Sequence, residues 1–456
     1  MPRLVRLLLI ALAAIALTVA LAACGDDDDD GGDTTGGQEI TSVQAVDTET
    51  CGEVEYGGQG DPAALIVSDL PAQGDSAERT KQMNDAIRAE LDDEGWKAGQ
   101  TNVAFQACDD SIADTGEWDE ATCKSNAEAY AANSDLIGVI GTYNSGCAAI
   151  EIPILNQAPG GGVAMVSPGN TLICLTENAS GCEKGQPDNL YPSGTRNYAR
   201  VVPSDAYQGA GLALFAQKQG VRKPYVLYAA DDPTSKGQAD TFLGGSFFLD
   251  MPAAGIGTWD PEATDYTKLM QKVKASGADG LVLAGLLDQN GAQLIKDKVA
   301  VLGPNEGDQA AVKLFAPDGF AQQATIDDAG PDSAGMFVSV PGRLPEKLTG
   351  PGKAFVEELQ TDVGDAPVEL FAPYSGQAAA VLLSAMSADP SRAATVKALT
   401  QVEVDKGIIG NFTITPSGDP SLGPIDISVA KDSFQFAGEE SPQGEILDFA
   451  RGERGG

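Results

Sequence analysis

Histidine is absent from all 456 residues. Ser-His-Asp and Cys-His catalysis and every His-ligated metal site are thereby excluded, because each needs an imidazole as base or ligand. Carboxylate-pair, lysine and cofactor chemistry survive that exclusion, but no residues mark one out, so no enzymatic activity and no cofactor are expected. Basic residues are scarce, 29 against 66 acidic, for a formal charge of −37. A surface of that sign repels nucleic acid and anionic lipid and is read as a well-solvated exterior. No Cys-x-x-Cys pair occurs, which argues against a zinc site built from thiolates.

What is present begins with an export signal. Arg3 and Arg6 form a positive n-region, and Leu7 to Val19 is an apolar run too short for a comfortable membrane span. Leu21-Ala22-Ala23-Cys24 follows and resembles the lipobox of bacterial lipoproteins. That resemblance implies cleavage before Cys24, a diacylglycerol on its sulfur, residues 1–23 as signal peptide, and a mature chain anchored to the outer face of the cell membrane. Gly25 to Gly37, GDDDDDGGDTTGG, has nothing to bury and reads as a self-repelling tether within a 24–50 linker. A calcium cage there is the weaker reading, since adjacent acids without fixed turns do not enclose an ion.

Six further cysteines remain: Cys51, Cys108, Cys123, Cys147, Cys174 and Cys182. An even count in an exported chain suggests disulfides, with 15 possible connectivities for six cysteines. Proximity in sequence favours Cys108 with Cys123 and Cys174 with Cys182, leaving Cys51 for Cys147.

At 456 residues and 42% hydrophobic, the chain is long enough for two or three domain-sized units. Short apolar runs at Ala63–Val67, Asn102–Ala107, Leu136–Ile140 and Val163–Ser167 alternate with helical patterns at Ala77–Leu91 and Ala121–Ala132 and after Gly146. This β-α repetition implies a parallel sheet with helices on both faces. The loops at 68–76, 141–146 and 167–171 then share the carboxyl edge where such sheets bind ligands. A second cycle repeats the grammar: helix Ala206–Gln219, strand Pro224–Ala229, loop Asp231–Gly237, helix Gln238–Phe248, and strands at Gly255–Thr258, Gly280–Ala284 and Lys313–Ala316. Helical stretches at Gly352–Thr361, Ser375–Met386 and Ala394–Gln401 and a hairpin-like region around Ile408–Val429 close the chain, with Gly452 to Gly456 expected to fray.

The stretch Leu136–Ala149, LIGVIGTYNSGCAA, stands at the centre of this plan as a strand, a tight polar loop and a helix start suited to an anion. Together with DLPAQGDS, VSPGNT, NYARVVPSDAYQG, DDPTSKGQA, APDGF and GIIGNFTITPSGD, in that order between residues 60 and 436, it resembles the extracellular solute-binding proteins of the branched-chain amino acid ABC transporter family. The resemblance implies an α/β type I periplasmic-binding-protein fold, two doubly wound parallel-sheet lobes joined by a three-strand hinge. Crossovers are expected near Val201–Ser204, Val338–Gly342 and Val402–Gly407. Lobe I is then 51–202 plus 341–404, lobe II is 203–340 plus 405–438, and 439–456 is a C-terminal tail.

Carried over residue by residue, the resemblance makes Ser145, with Asn144 beside it, the grip on a ligand carboxylate. Gly169 and Thr171 are contacts of the next loop, and Asp318 is the acid that pairs with a ligand ammonium. Neutral donors facing a single acid suit an amino acid or amide-like solute. Read plainly, the same residues are turn or cap residues. Where the family places Tyr-Gly, this chain has Lys236-Gly237, so an aromatic wall for an aliphatic side chain is missing there; Lys236 either meets a ligand anion or points into solvent. Tyr143, Asp288, Asn290 and Tyr374 are candidates for the pocket edge. The expected function is a monomeric, lipid-anchored receptor that delivers a small polar molecule to ABC permease subunits. A ligand sensor for a membrane signalling partner is the alternative.

Overall fold

The computed structural model describes residues 42–453 apart from 114–115, 180 and 308–309. The expected signal peptide, Cys24, most of the acidic linker and the last three residues of the expected frayed end lie outside the described residues. Among the described residues no helix is long and apolar enough to cross a membrane.

The first sheet is built from β1 (Cys51–Glu55), β2 (Ala64–Asp69), β3 (Lys97–Ala98), β4 (Thr101–Cys108), β5 (Leu136–Gly141), β6 (Ala164–Ser167) and β7 (Tyr198–Arg200). It is interleaved with α1 (Ala77–Asp93), α2 (Glu120–Ala132) and α3 (Ser145–Asn156). Strand order is β1-β4-β2-β5-β6-β7, parallel except for β1 and β3, which run antiparallel to β4. All six residues of β2 are buried, as a parallel strand covered on both faces requires. Ile66 joins one core with Met83 and Ile87 of α1. Leu65 and Val67 join a second core with Ala127 and Tyr130 of α2 and Ile152 of α3.

The second sheet follows the same winding. Its elements are α4 (Asp205–Lys218), β8 (Pro224–Ala229), α5 (Pro233–Phe248), β9 (Gly255–Trp259), α6 (Thr267–Ser276), β10 (Gly280–Ala284), α7 (Gly291–Leu302), β11 (Lys313–Ala316), α8 (Gln323–Ala329) and β12 (Phe337–Val340). The chain then returns to the first lobe through α9 (Pro351–Val363), α10 (Ala372–Met386), α11 (Arg392–Leu399) and the hairpin β13 (Glu403–Gly407) and β14 (Gly410–Thr413). It finishes with β15 (Ile425–Ala430), β16 (Phe434–Glu440) and α12 (Glu445–Ala450). The order β16-β15-β12-β11-β10-β8-β9 places β15 and β16 antiparallel on one edge of a parallel sheet.

Three expectations are corrected. The disulfides are Cys51–Cys108, Cys123–Cys147 and Cys174–Cys182, so only the last of the three expected pairs forms. Cys51 lies on β1 directly opposite Cys108 on β4, and Cys123 and Cys147 face each other from α2 and α3. Sheet and helix neighbours, not neighbours in sequence, decided those two pairs.

The second correction concerns α5, which starts at Pro233 and absorbs the expected loop. The Asp232 side chain accepts from Thr234 N and Pro233 occupies the first turn, a helix-start signal that was available in the sequence. The third concerns the terminal hairpin region, which is two hairpins. Because β13–β14 packs into the first core through Ile408, Phe412 and Ile414, the third passage between sheets falls at 414–424 rather than at Val402–Gly407. Within the expected C-terminal tail, α12 packs against α4 and α5.

Candidate functional site

Both sheets have the doubly wound order in which the chain turns back between its first and third parallel strands: β2 and β5 in one, β8 and β10 in the other. Loops after such strands leave the crevice outside their carboxyl ends open for a ligand. The two crevices face a common cleft of about 540 Å³. Tyr143, Asn144 and Ser145 after β5, Gly169 and Thr171 after β6, and Glu117, Trp118 and Glu120 after β4 form one wall. Asp231 to Thr234 after β8, Pro261 and Glu262 after β9, Leu286, Asp288 and Gln289 after β10, and Asp318 after β11 form the other, with Gln238 of α5.

The first wall is held by a polar scaffold beneath it. Ser167 Oγ donates to Thr142 O and accepts from Gly169 N and Asn170 N, and Asn170 Nδ2 donates to Tyr143 O. Arg200, fully buried, donates to Asn170 O and Leu172 O and pairs with Asp419 at 2.7 Å. Asn144 is the N-cap of α3 but makes no side-chain cap bond, so the free N–H groups of the first turn stay available. Ser145 Oγ accepts from Leu172 N at 3.3 Å, leaving its own O–H to give. Two glycines permit the aromatic packing here: a Cβ on Gly169 would stand 2.9 Å from the Tyr143 ring, and one on Gly146 2.6 Å from Trp118.

On the opposite wall Asp318 is only 8% exposed. Gln208 Nε2 donates to its Oδ1 at 2.7 Å. Burial pushes its carboxyl up to about 6, against the pull of the Gln208 donor. Behind it Asp205 is pushed up to about 7 by burial and by the charge of Asp318. The loop after β8 is braced by Asp232, which accepts from Ser235 Oγ and, at 2.6 Å, from Gln289 Nε2. Asp231 and Asn290 both adopt left-handed backbone, with φ of 60° and 62°, a conformation that costs a non-glycine residue and collects at ligand clamps.

Of the residues expected at the site, Tyr143, Asn144, Ser145, Gly169, Thr171, Asp288 and Asp318 are brought together in the cleft. Three others are not. Lys236 sits in the first turns of α5 and pairs with Asp240 at 2.5 Å. Asn290 donates to Ala263 O. Tyr374 is buried where the chain recrosses, its hydroxyl accepting from Arg343 N and donating to Arg343 O. The stretch Glu117–Glu120 escaped the sequence reading because it spans the end of the loop after β4 and the first residue of α2, where there is no periodic signal. Arg79 was also missed, although its guanidinium lies 4.1 Å from the Tyr143 ring centroid.

Two groups of acid and thiol atoms lie close enough to share a cation, Asp110 with Cys123 and Cys147, and Asp69 with Cys147 and Glu151. Both use Cys147, whose sulfur is bonded to Cys123, so neither fits a metal. The arrangement suits noncovalent capture: neutral donors and a helix start on one wall for a carboxylate, and a buried acid on the other for an ammonium.

Comparison with known structures places this architecture. A leucine-binding protein, LivK, from Thermotoga maritima is 18% identical, with a TM-score of 0.69 over 83% of this chain and 99% of that one. The branched-chain amino acid binding protein LivJ from Streptococcus pneumoniae, in complex with isoleucine, is 14% identical, with a TM-score of 0.67 over 83% and 99%. A solute-binding protein of R. palustris in complex with 4-hydroxybenzoate is 16% identical, with a TM-score of 0.68 over 84% and 98%. At these identities the likeness is one of fold. No curated protein sequence matches the chain. The model of the periplasmic binding protein family matches residues 70–422. That span takes in every residue of the cleft and well over half of the chain, and the chain therefore belongs to this family of binding proteins.

Proposed function

We propose that the protein is the solute receptor of an ABC importer, tethered outside the cell membrane through a lipid on Cys24, and that it captures a small amino acid or amide-like molecule between two closing lobes. The observation that carries this reading is the pairing across one cleft of Ser145 at the start of α3 with buried Asp318. Ser145, Asn144, Gly169 and Thr171 hold the carboxylate; Asp318 takes the ammonium, with Tyr143 and Asp288 lining the space between. The solutes of the structural neighbours, leucine, isoleucine and 4-hydroxybenzoate, all carry a carboxylate, which agrees with a carboxylate site at the helix start. Closure follows from binding because only the closed form lets both walls touch the solute.

The test is thermal unfolding and calorimetry across amino acids, amides and small carboxylates. A solute present at about 100 times its Kd stabilises the folded chain by about 2.7 kcal/mol. A panel in which nothing raises the unfolding temperature counts against the receptor reading. Mass spectrometry of the membrane-extracted chain checks the anchor, since diacylglycerol at Cys24 adds a defined mass and an unlipidated N-terminus refutes it.

A further inference from the structure

The first turn of α4 is fastened to both walls of the cleft without lining it. Asp205 begins the helix, and its N–H donates to Thr171 O on the first wall at 2.7 Å. Three residues on, Gln208 is buried, and its Nε2 donates to Asp318 Oδ1 at 2.7 Å and to Ser339 O of β12 at 3.2 Å. Neither Asp205 nor Gln208 is among the residues that line the cleft. Both border a small cavity behind the second wall.

The two bonds settle how the Gln208 amide stands. Its partners, a carboxylate oxygen and a carbonyl oxygen, only accept, so the NH2 end must face them; turned over, the amide would set its own oxygen against both. Asp318 lines the cleft and Gln208 does not. Its Oδ1 is therefore drawn to the back of the wall, and Oδ2 is the oxygen left toward the solute.

The same donor acts on the charge of Asp318. Burial works against the carboxylate; the Gln208 donor, the backbone N–H of Asp318 itself and the charge of Arg79 favour it, in that order. Asp205 behind and the Tyr143 phenol opposite are also in its field. Among these groups Gln208 is the one that both favours the charged form and fixes its direction.

Resting on the receptor reading, we infer that Gln208 is the positioning residue of the second wall: it touches no solute itself but turns Asp318 so that Oδ2 meets the ammonium of an amino acid. A carboxylate solute without an ammonium gains nothing from this arrangement. Gln208 thereby selects for amino acids over plain acids.

The experiment is calorimetric titration of the purified chain, of Gln208→Met and of Gln208→Glu with L-leucine, L-isoleucine, L-alanine, L-glutamine and 4-hydroxybenzoate, each at pH 8, 7 and 6. Met keeps the length and removes the donor; Glu sets an acid against Asp318 in its place. For the amino acid that the unaltered chain binds tightest, Gln208→Met is expected to weaken binding about ten-fold at pH 8, the scale of one hydrogen bond to a charged group. The loss is larger at pH 7, because a carboxyl deprived of its donor takes up a proton at a higher pH. Gln208→Glu acts in the same direction and more strongly, and binding of 4-hydroxybenzoate, which has no ammonium, does not change.

A loss that is equal at every pH, or that strikes 4-hydroxybenzoate as hard, gives Gln208 a merely structural part and overturns the inference. Unchanged affinity in both variants overturns it too, and in each case the receptor reading stands. Binding of 4-hydroxybenzoate by a chain that binds no amino acid has the same two consequences. No binding by any of the five overturns the inference and weighs against the receptor reading as well. Should both variants lose stability, a crystal structure of the unaltered chain with its amino acid decides. The ammonium must lie within about 3 Å of Asp318 Oδ2 while Gln208 Nε2 stays on Oδ1, and an ammonium placed on Oδ1 or away from Asp318 refutes the role.

Discussion

Arg79 donates from Nη1 to Oε1 of Gln322 at 2.7 Å, joining α1 beside the first sheet to the segment that follows Asp318 beside the second. The same guanidinium donates from Nη2 to Ser76 Oγ and lies over the Tyr143 ring. It is buried, so the contact is charge-assisted and largely shielded from solvent screening. Arg79 thus connects the two walls behind the cleft.

Replacing Arg79 with Met keeps much of the volume but leaves Gln322 Oε1 without its donor. The loss is expected to be about 1–3 kcal/mol of stability, together with weaker solute binding. Urea unfolding with a parallel titration measures both. A variant with unchanged stability and unchanged affinity shows that this contact joins nothing that matters.

Asp318→Asn removes the charge and leaves Gln208 Nε2 facing an amide whose orientation is free to reverse. If Asp318 holds an ammonium, affinity falls by about 2–3 kcal/mol, the scale of a hydrogen bond to a charged group. Ser145→Ala, which removes an O–H donor to a ligand carboxylate, is expected to cost about 1–3 kcal/mol by the same scale. Unchanged affinity in either variant moves that end of the site elsewhere.

Affinity also responds to pH. The Asp318 carboxyl is pushed up to about 6, so it is charged above that value and neutral below it. Binding of an ammonium is therefore expected to hold at pH 8 and weaken as pH falls through 6. Titrations at pH 8, 7, 6 and 5 follow this, and a flat profile argues against Asp318 as the partner.

Stability moves in the opposite sense. Burial raises the carboxyls of Asp205 and Glu90 to about 7 and that of Asp318 to about 6. A carboxyl raised in the folded state binds its proton more tightly there than in the unfolded chain. Its stabilisation is complete below the unfolded value, near 4, and is lost as pH rises through 6 to 7. The self-repulsion of a chain of formal charge −37 also eases on acidification. The unfolding temperature of the solute-free protein is expected to rise from pH 8 to pH 5, and scanning calorimetry that finds it falling refutes this.

Peptide mapping under non-reducing conditions should recover Cys51 linked to Cys108 and Cys123 linked to Cys147. Removing the second bridge with a Cys123→Ser, Cys147→Ser double variant is expected to cost about 2–4 kcal/mol. Because that bridge fastens α2 beside the start of α3, the loss should reach solute affinity as well. A double variant that binds as tightly as the parent shows that packing alone positions Ser145.

Much of the architecture is legible in the residues themselves. Ala64–Asp69, Leu136–Gly141 and Pro224–Ala229 are short apolar runs bounded by polar turns, and the strands form there because such a run, buried on both faces, has no other low-energy arrangement. The alternation of these runs with helices dictates parallel pairing and hence a ligand edge at their carboxyl ends; the choice of Ser145, Thr171 and Asp318 along that edge came from the resemblance to the solute-binding family. The Asp232-Pro233 helix start was also written in the sequence, in a stretch read there as loop.

Other features depend on distances that no local pattern encodes. Cys51 meets Cys108 because β1 pairs antiparallel to β4, and Cys147 meets Cys123 because two helices lie side by side. Arg79 reaches Gln322 across 243 positions of chain. The seven acids of the cleft, spread from Glu117 to Asp318, become one electrostatic environment only when the two sheets face each other. Hydrophobic periodicity is a short-range property and determined the strands and helices of this protein. Disulfide pairing and the charge of the cleft are sums over residues far apart in sequence, and only tertiary packing decided them.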